Sequence, residues 1–142
     1  MSLPELAPGK MKEIMKSKEE IQLLIKGVGQ LKGLIKNFSE LSKKKPDEQV
    51  NKFKLNLVNK ILSILNSILD ETNKPFKEFV EFDDTNLPSN SDVLIILNQY
   101  LNCMENFSNE NTKYKSPFDK WIINGKLSDI SADLDDIFKD KK

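Results

Sequence analysis

Residues 47–72, Asp-Glu-Gln-Val-Asn-Lys-Phe-Lys-Leu-Asn-Leu-Val-Asn-Lys-Ile-Leu-Ser-Ile-Leu-Asn-Ser-Ile-Leu-Asp-Glu-Thr, carry the strongest helical pattern in the chain. Val50, Phe53, Leu57, Ile61, Ile64 and Ile68 make one apolar stripe, and Val58, Leu62, Leu65 and Leu69 make an adjacent one. Asn59, Ser63, Asn66 and Asp70 hold the narrow polar strip that remains. A helix with so wide an apolar face is expected at the centre of the fold, touched by neighbours on two sides. Burying its aliphatic side chains, at about 1.5–3 kcal/mol each, is the expected main stabilising term. Pro46-Asp47-Glu48 places Pro and acids in its first turn.

Upstream, a second pattern starts near Lys10. Ile14, Ile21, Leu24, Val28, Leu31, Ile35 and Phe38 form an a/d seam with one gap, at Ser17. Ile25, Leu34 and Leu41 widen it. The expected helix spans 10–42 and ends in the run Lys43-Lys44-Lys45, where cations suit the negative end of the dipole. Gly27, Gly29 and Gly33 are expected to kink or split it near residue 28, or to allow close packing. Residues 1–9, broken by Pro4 and Pro8, read as an extended lead-in.

Downstream, Lys74-Pro75 stops the central pattern. Phe76, Phe79 and Val80 share a face of a short helix, and residues 83–90 form a loop. Ser89 or Ser91 caps a helix from about 92 to 107. Val93, Leu94, Leu97, Leu101 and Met104 line one stripe of it, with Ile96, Tyr100, Cys103 and Phe107 beside them. Ser116-Pro117-Phe118-Asp119 has the form of a helix start, and Gly125 of a helix stop. Leu127, Ile130, Leu134 and Ile137 then repeat at helical spacing, with Asp129, Asp133, Asp135 and Asp136 on the other side. No segment alternates over more than a few residues. The expected fold is all-α: a bundle of four main helices plus one or two short ones, as a single domain over 10–142. Residues 126–142 are its most detachable part.

Composition limits the chemistry. The chain of 142 residues has no His and no Arg, so all 22 cations are Lys. That removes the imidazole base, the commonest metal ligand and the bidentate anion clamp. Lone Cys103 cannot supply a zinc site and falls on an apolar stripe. The segment Gly27 to Gly33 misses the G-x-G-x-x-G spacing by one residue and lacks a preceding strand. Ser42-Lys43-Lys44-Lys45 matches S-x-x-K without its companion K-T-G element. Asp83-Asp84 and Asp133/Asp136 are carboxylate pairs of the kind that bind Mg²⁺ or Ca²⁺ or act as acid and base, but they fall where solvated charge is expected. Asn37 and Asn106 begin sequons inside helical patterns. No catalytic residue, metal ligand or cofactor is therefore assigned.

Net charge is zero, but it is unevenly placed. Residues 1–45 hold 10 Lys against 5 Glu, a net of +5, and residues 74–112 hold 2 Lys against 7 acids, a net of −5. The two regions either pair within the fold or face partners. The expected function is non-enzymatic protein–protein contact, as a subunit, adaptor or effector. Leu127, Ile130, Leu134, Ile137 and Phe138 are the candidate partner surface, and the long seam of helix 10–42 offers a homodimer contact. The alternative is a lysine-rich helical subunit that uses Lys43, Lys44 and Lys45 against nucleic acid or an acidic partner. No apolar run reaches transmembrane length. One cysteine fits a reducing compartment such as the cytoplasm; a secreted bundle whose signal has been removed would read the same.

Overall fold

The computed structural model describes residues 15–69 and 73–139. In chain order these form α1 (Lys18–Lys44), α2 (Lys52–Ile68), α3 (Asn90–Glu110), β1 (Thr112–Lys115), β2 (Phe118–Ile123), β3 (Lys126–Ser131) and α4 (Leu134–Phe138). The strands make an antiparallel sheet in the order β1-β2-β3. The fold is therefore α+β, not the expected all-α bundle of four main helices.

Helix α1 begins later than expected. Ser17 is its N-cap: Glu20 N–H donates to Ser17 Oγ at 3.1 Å, and Glu20 Oε1 accepts from Lys16 N–H at 2.8 Å. The apparent gap in the seam is thus the first half of an S-x-x-E cap. Met15 precedes the helix and is fully buried. Its N–H donates to Asn111 Oδ1 (2.9 Å), and its carbonyl accepts from Asn124 N–H (2.8 Å). The lead-in over 1–9 and the start of the expected helix, Ile14 included, lie outside the described residues.

From Ser17 onward α1 runs unbroken past its glycines. No split occurs near residue 28. Gly27 sits where α2 crosses, and a Cβ there would stand 3.1 Å from Leu65 Cδ2 and 3.3 Å from Ile64 Cγ2. Ile21, Leu24, Val28, Leu31 and Phe38 are buried in the core shared with α2 and α3.

Asn51 caps α2 by accepting from Lys54 N–H at 2.8 Å. Pro46, Asp47 and Glu48, expected in the first turn of this helix, instead form a turn and bend before it, and this segment bonds to residues 88–91 through a bridge between Gln49 and Ser89. Val50 N–H donates to Pro88 O (2.8 Å), Asn90 N–H to Glu48 O (2.9 Å) and Asn90 Nδ2 to Lys45 O (2.9 Å). Of the two apolar stripes, the one buried along its length is Val58, Leu62, Leu65 and Leu69, and the buried Leu55, in neither expected stripe, extends it.

Residues 73–88 contain no helix; the short one expected around Phe76–Val80 is replaced by an irregular strap over α2. The polar strip of α2 holds it. Asn59 Oδ1 accepts from Phe82 N–H (2.9 Å) while Asn59 Nδ2 donates to Phe82 O (3.0 Å). Two turns on, Asn66 Nδ2 donates to Val80 O (2.9 Å) and Asn66 Oδ1 accepts from Tyr100 OH (2.8 Å). Phe79 packs edge-on to Phe82 and Tyr100. Aromatic packing and paired backbone groups thus replace helical hydrogen bonds in this segment.

Helix α3 is capped by Ser89, which accepts from Asp92 N–H (3.2 Å). It buries Val93, Leu97, Tyr100, Met104 and Phe107. At its end the chain enters the sheet, where helices were expected. β1 pairs β2 from Thr112↔Trp121 to Lys115↔Phe118, with Ser116-Pro117 in the connecting turn. Asn124 and Gly125 take φ of 52° and 77° and link β2 to β3, with Ile123 paired to Lys126. This is a two-residue hairpin with both central residues left-handed, the geometry that selects Asn-Gly. Trp121, fully buried, anchors the sheet to the core.

The expected amphipathic helix over 127–139 does not form. Its first half is β3, and only Leu134–Phe138 is helical, capped by Asp133. Lys32 Nζ donates to the carbonyls of Ile137 (3.3 Å) and Lys139 (3.2 Å) and fastens this end to α1.

Candidate functional site

The residues expected as a partner surface do not share one face. Leu127 and Ile130 lie on β3, Leu127 exposed and Ile130 half-buried. Leu134 and Ile137 are half-buried on α4, and Phe138 is buried in the core. Lys43, Lys44 and Lys45 are exposed at the end of α1. Lys45 Nζ is 3.5 Å from Glu48 Oε2, a surface contact worth little.

The structure brings a different set together. On α2, Phe53 is 72% exposed and Leu57, one turn on, is 40% exposed. They stand at the outer end of the stripe expected to be buried. Beside them an open groove of about 500 Å³ runs between α1 and α2, lined by Leu34, Phe38, Leu41, Phe53 and Leu57. Asn37, Glu40 and Lys54 form its polar margin. Helical spacing from Asn37 and Leu41 brings Lys44 to the same side of α1. The sequence signal for this surface is the doubled stripe of α2. One buried helix face needs only one stripe, so the second is available for another contact.

Across the Phe53–Leu57 ridge lies a second, more polar cleft, lined in part by Lys60, Ser63, Glu81, Asp83 and Asp84. Asp83 Oδ1 accepts from Thr85 N–H (2.9 Å) and Thr85 Oγ1 (2.7 Å). These bonds hold its carboxyl below the usual carboxylate range. The pair Asp83-Asp84 thus includes a turn-forming carboxylate. Asp133 serves as a cap, accepting from Asp136 N–H at 3.0 Å.

Cys103 is half-buried, and burial pushes its thiol up, away from the nucleophilic thiolate. Burial also raises Tyr100, whose hydroxyl is held by Asn66. Among the described residues no group of three or more Cys, Asp or Glu is arranged to hold a metal ion, and no helix is long and apolar enough to cross a membrane.

No protein-family model, curated protein or solved structure matches the chain.

Proposed function

We propose that this chain is a non-enzymatic protein-binding module that receives an acidic amphipathic helix in the groove between α1 and α2. The observation that carries the reading is the exposure of Phe53 and Leu57 at i, i+4 beside an apolar channel. Large apolar side chains left in water next to an unfilled groove mark a contact surface. Helix-in-groove recognition uses such a channel, with apolar anchors at i, i+3/i+4 and i+7 of the incoming helix. The acidic character of the partner rests on Lys54 at the margin and on the exposed Lys44 one turn beyond Leu41 on α1, which stand against Glu40. In this reading the end of the lysine run supplies steering rather than the main binding energy. A single half-buried cysteine suits work in a reducing compartment.

Panning a library of helical peptides against the protein tests this. Selected sequences should carry the i, i+4, i+7 apolar pattern with Asp or Glu beside it. They should lose about tenfold or more in affinity to Phe53→Ala, since a fully buried aromatic contributes about 1.5–3 kcal/mol. Failure to enrich any such pattern, or binders indifferent to Phe53 and Leu57, would overturn the reading.

A further inference from the structure

The outward face of the sheet is basic and carries an exposed ring. In the β1–β2 ladder Lys113 stands directly opposite Lys120, and Lys115 opposite Phe118. Alternation along the strands puts these four on one face. Thr112, Tyr114, Asp119 and Trp121 take the other, where Trp121 enters the core. Phe118 is 57% exposed, and Lys120 Nζ lies 5.7 Å from the centre of its ring. Ile122, next on the outward face, pairs with the exposed Leu127.

Like charges directly opposed across a ladder are destabilising. No carboxylate among the described residues pairs with Lys113, Lys115 or Lys120. Lys120 Nζ reaches only neutral oxygens, Ser131 Oγ at 3.1 Å and the Asp129 carbonyl at 3.5 Å. Lysines on an edge strand such as β1 are explained by protection against strand addition. That explanation does not extend to Lys120, which lies on the central strand, nor to the exposed Phe118 beside it.

We propose that this face is a second binding surface, separate from the α1/α2 groove, and that it takes single-stranded nucleic acid. Lys113, Lys115 and Lys120 neutralise phosphates, and Phe118 offers a ring on which a base stacks. The ring decides between polyanions: an acidic peptide would use the lysines, whereas a nucleotide uses both the lysines and the aromatic face.

Fluorescence anisotropy with a labelled oligo-dT tests this on the full chain. Three phosphate contacts on a single strand predict that raising salt from about 50 to about 200 mM weakens binding roughly 20-fold. The triple variant Lys113→Gln, Lys115→Gln, Lys120→Gln should lose that dependence and most of the binding. Phe118→Ala should weaken it about fivefold or more. Replacing Lys43, Lys44 and Lys45 with Gln should leave it unchanged. In an amide NMR titration of the wild type, the shifts should centre on residues 113–120, a readout that does not rely on any variant folding. Four outcomes would overturn the proposal: no binding, shifts centred on α1, loss of binding only when the 43–45 run is changed, or a poly-glutamate of equal charge binding as tightly and without regard to Phe118.

Discussion

Asn59→Ala is the most informative perturbation of the fold, because one side chain holds both backbone groups of Phe82. The substitution removes the 2.9 Å bond from Phe82 N–H and the 3.0 Å bond to Phe82 O. At about 0.5–1.5 kcal/mol net per bond, the loss spans about 1–3 kcal/mol. Phe82 is half-buried, so water can re-solvate part of what is freed, which puts the expected cost near 1.5–2 kcal/mol. In urea, with a slope of about 2 kcal/mol/M, the midpoint should fall by about 0.8–1 M while the slope stays constant. Amide exchange at Phe82 should accelerate more than exchange in the core of α3, because the strap opens before the helices do. Asn59→Asp sharpens the test. It keeps an acceptor for Phe82 N–H but sets a carboxylate oxygen against the Phe82 carbonyl, so it should cost at least as much at neutral pH. An Asn59→Ala protein within about 0.5 kcal/mol of wild type, with Phe82 exchange unchanged, would refute the strap.

Three further outcomes are expected. Gly27→Val pushes a branched side chain onto Leu65 and Ile64, whose atoms would lie 3.1 and 3.3 Å from its Cβ, and should cost about 1–3 kcal/mol in a urea melt. Ser108 Oγ is buried without a hydrogen-bond partner, so Ser108→Ala should leave stability unchanged or raise it by up to about 1 kcal/mol, measured the same way. Burial raises the Cys103 thiol, so a thiol-labelling reagent should react more slowly with it than with an unfolded-chain cysteine, and the rate-versus-pH curve should be displaced to higher pH.

The long helices were legible because their apolar spacing is local information. Their caps were partly so: Ser89 is where a cap was expected, while Ser17 passed for a defect in a seam although Glu20 three residues on completes the signature. The sheet was obscured by competing signals. Ser116-Pro117-Phe118-Asp119 has the composition of a helix start, and Leu127, Ile130, Leu134 and Ile137 fall at helical intervals. That spacing is coincidental, since an irregular stretch of β3 and the residues around Ala132 separate strand from helix. Asn124-Gly125 between Ile122-Ile123 and Leu127 was the hairpin signal that outranks both. The groove was half legible. Two stripes on α2 show a wide apolar face, but how much of the second this chain covers depends on residues far away in sequence. α1 covers Leu65 and Ile64 at Gly27 yet leaves Phe53 and Leu57 bare. No local pattern encodes that difference.

The most direct test of the groove is calorimetric titration of a selected acidic helical peptide against wild type, Phe53→Ala, Leu57→Ala and Ile95→Ala. Ile95 is 57% exposed on α3, outside the groove, so it reports generic stickiness. The groove account predicts about tenfold or greater weakening for Phe53→Ala, a clear loss for Leu57→Ala, and wild-type affinity for Ile95→Ala. Equal losses at all three positions, or none at Phe53, would contradict it.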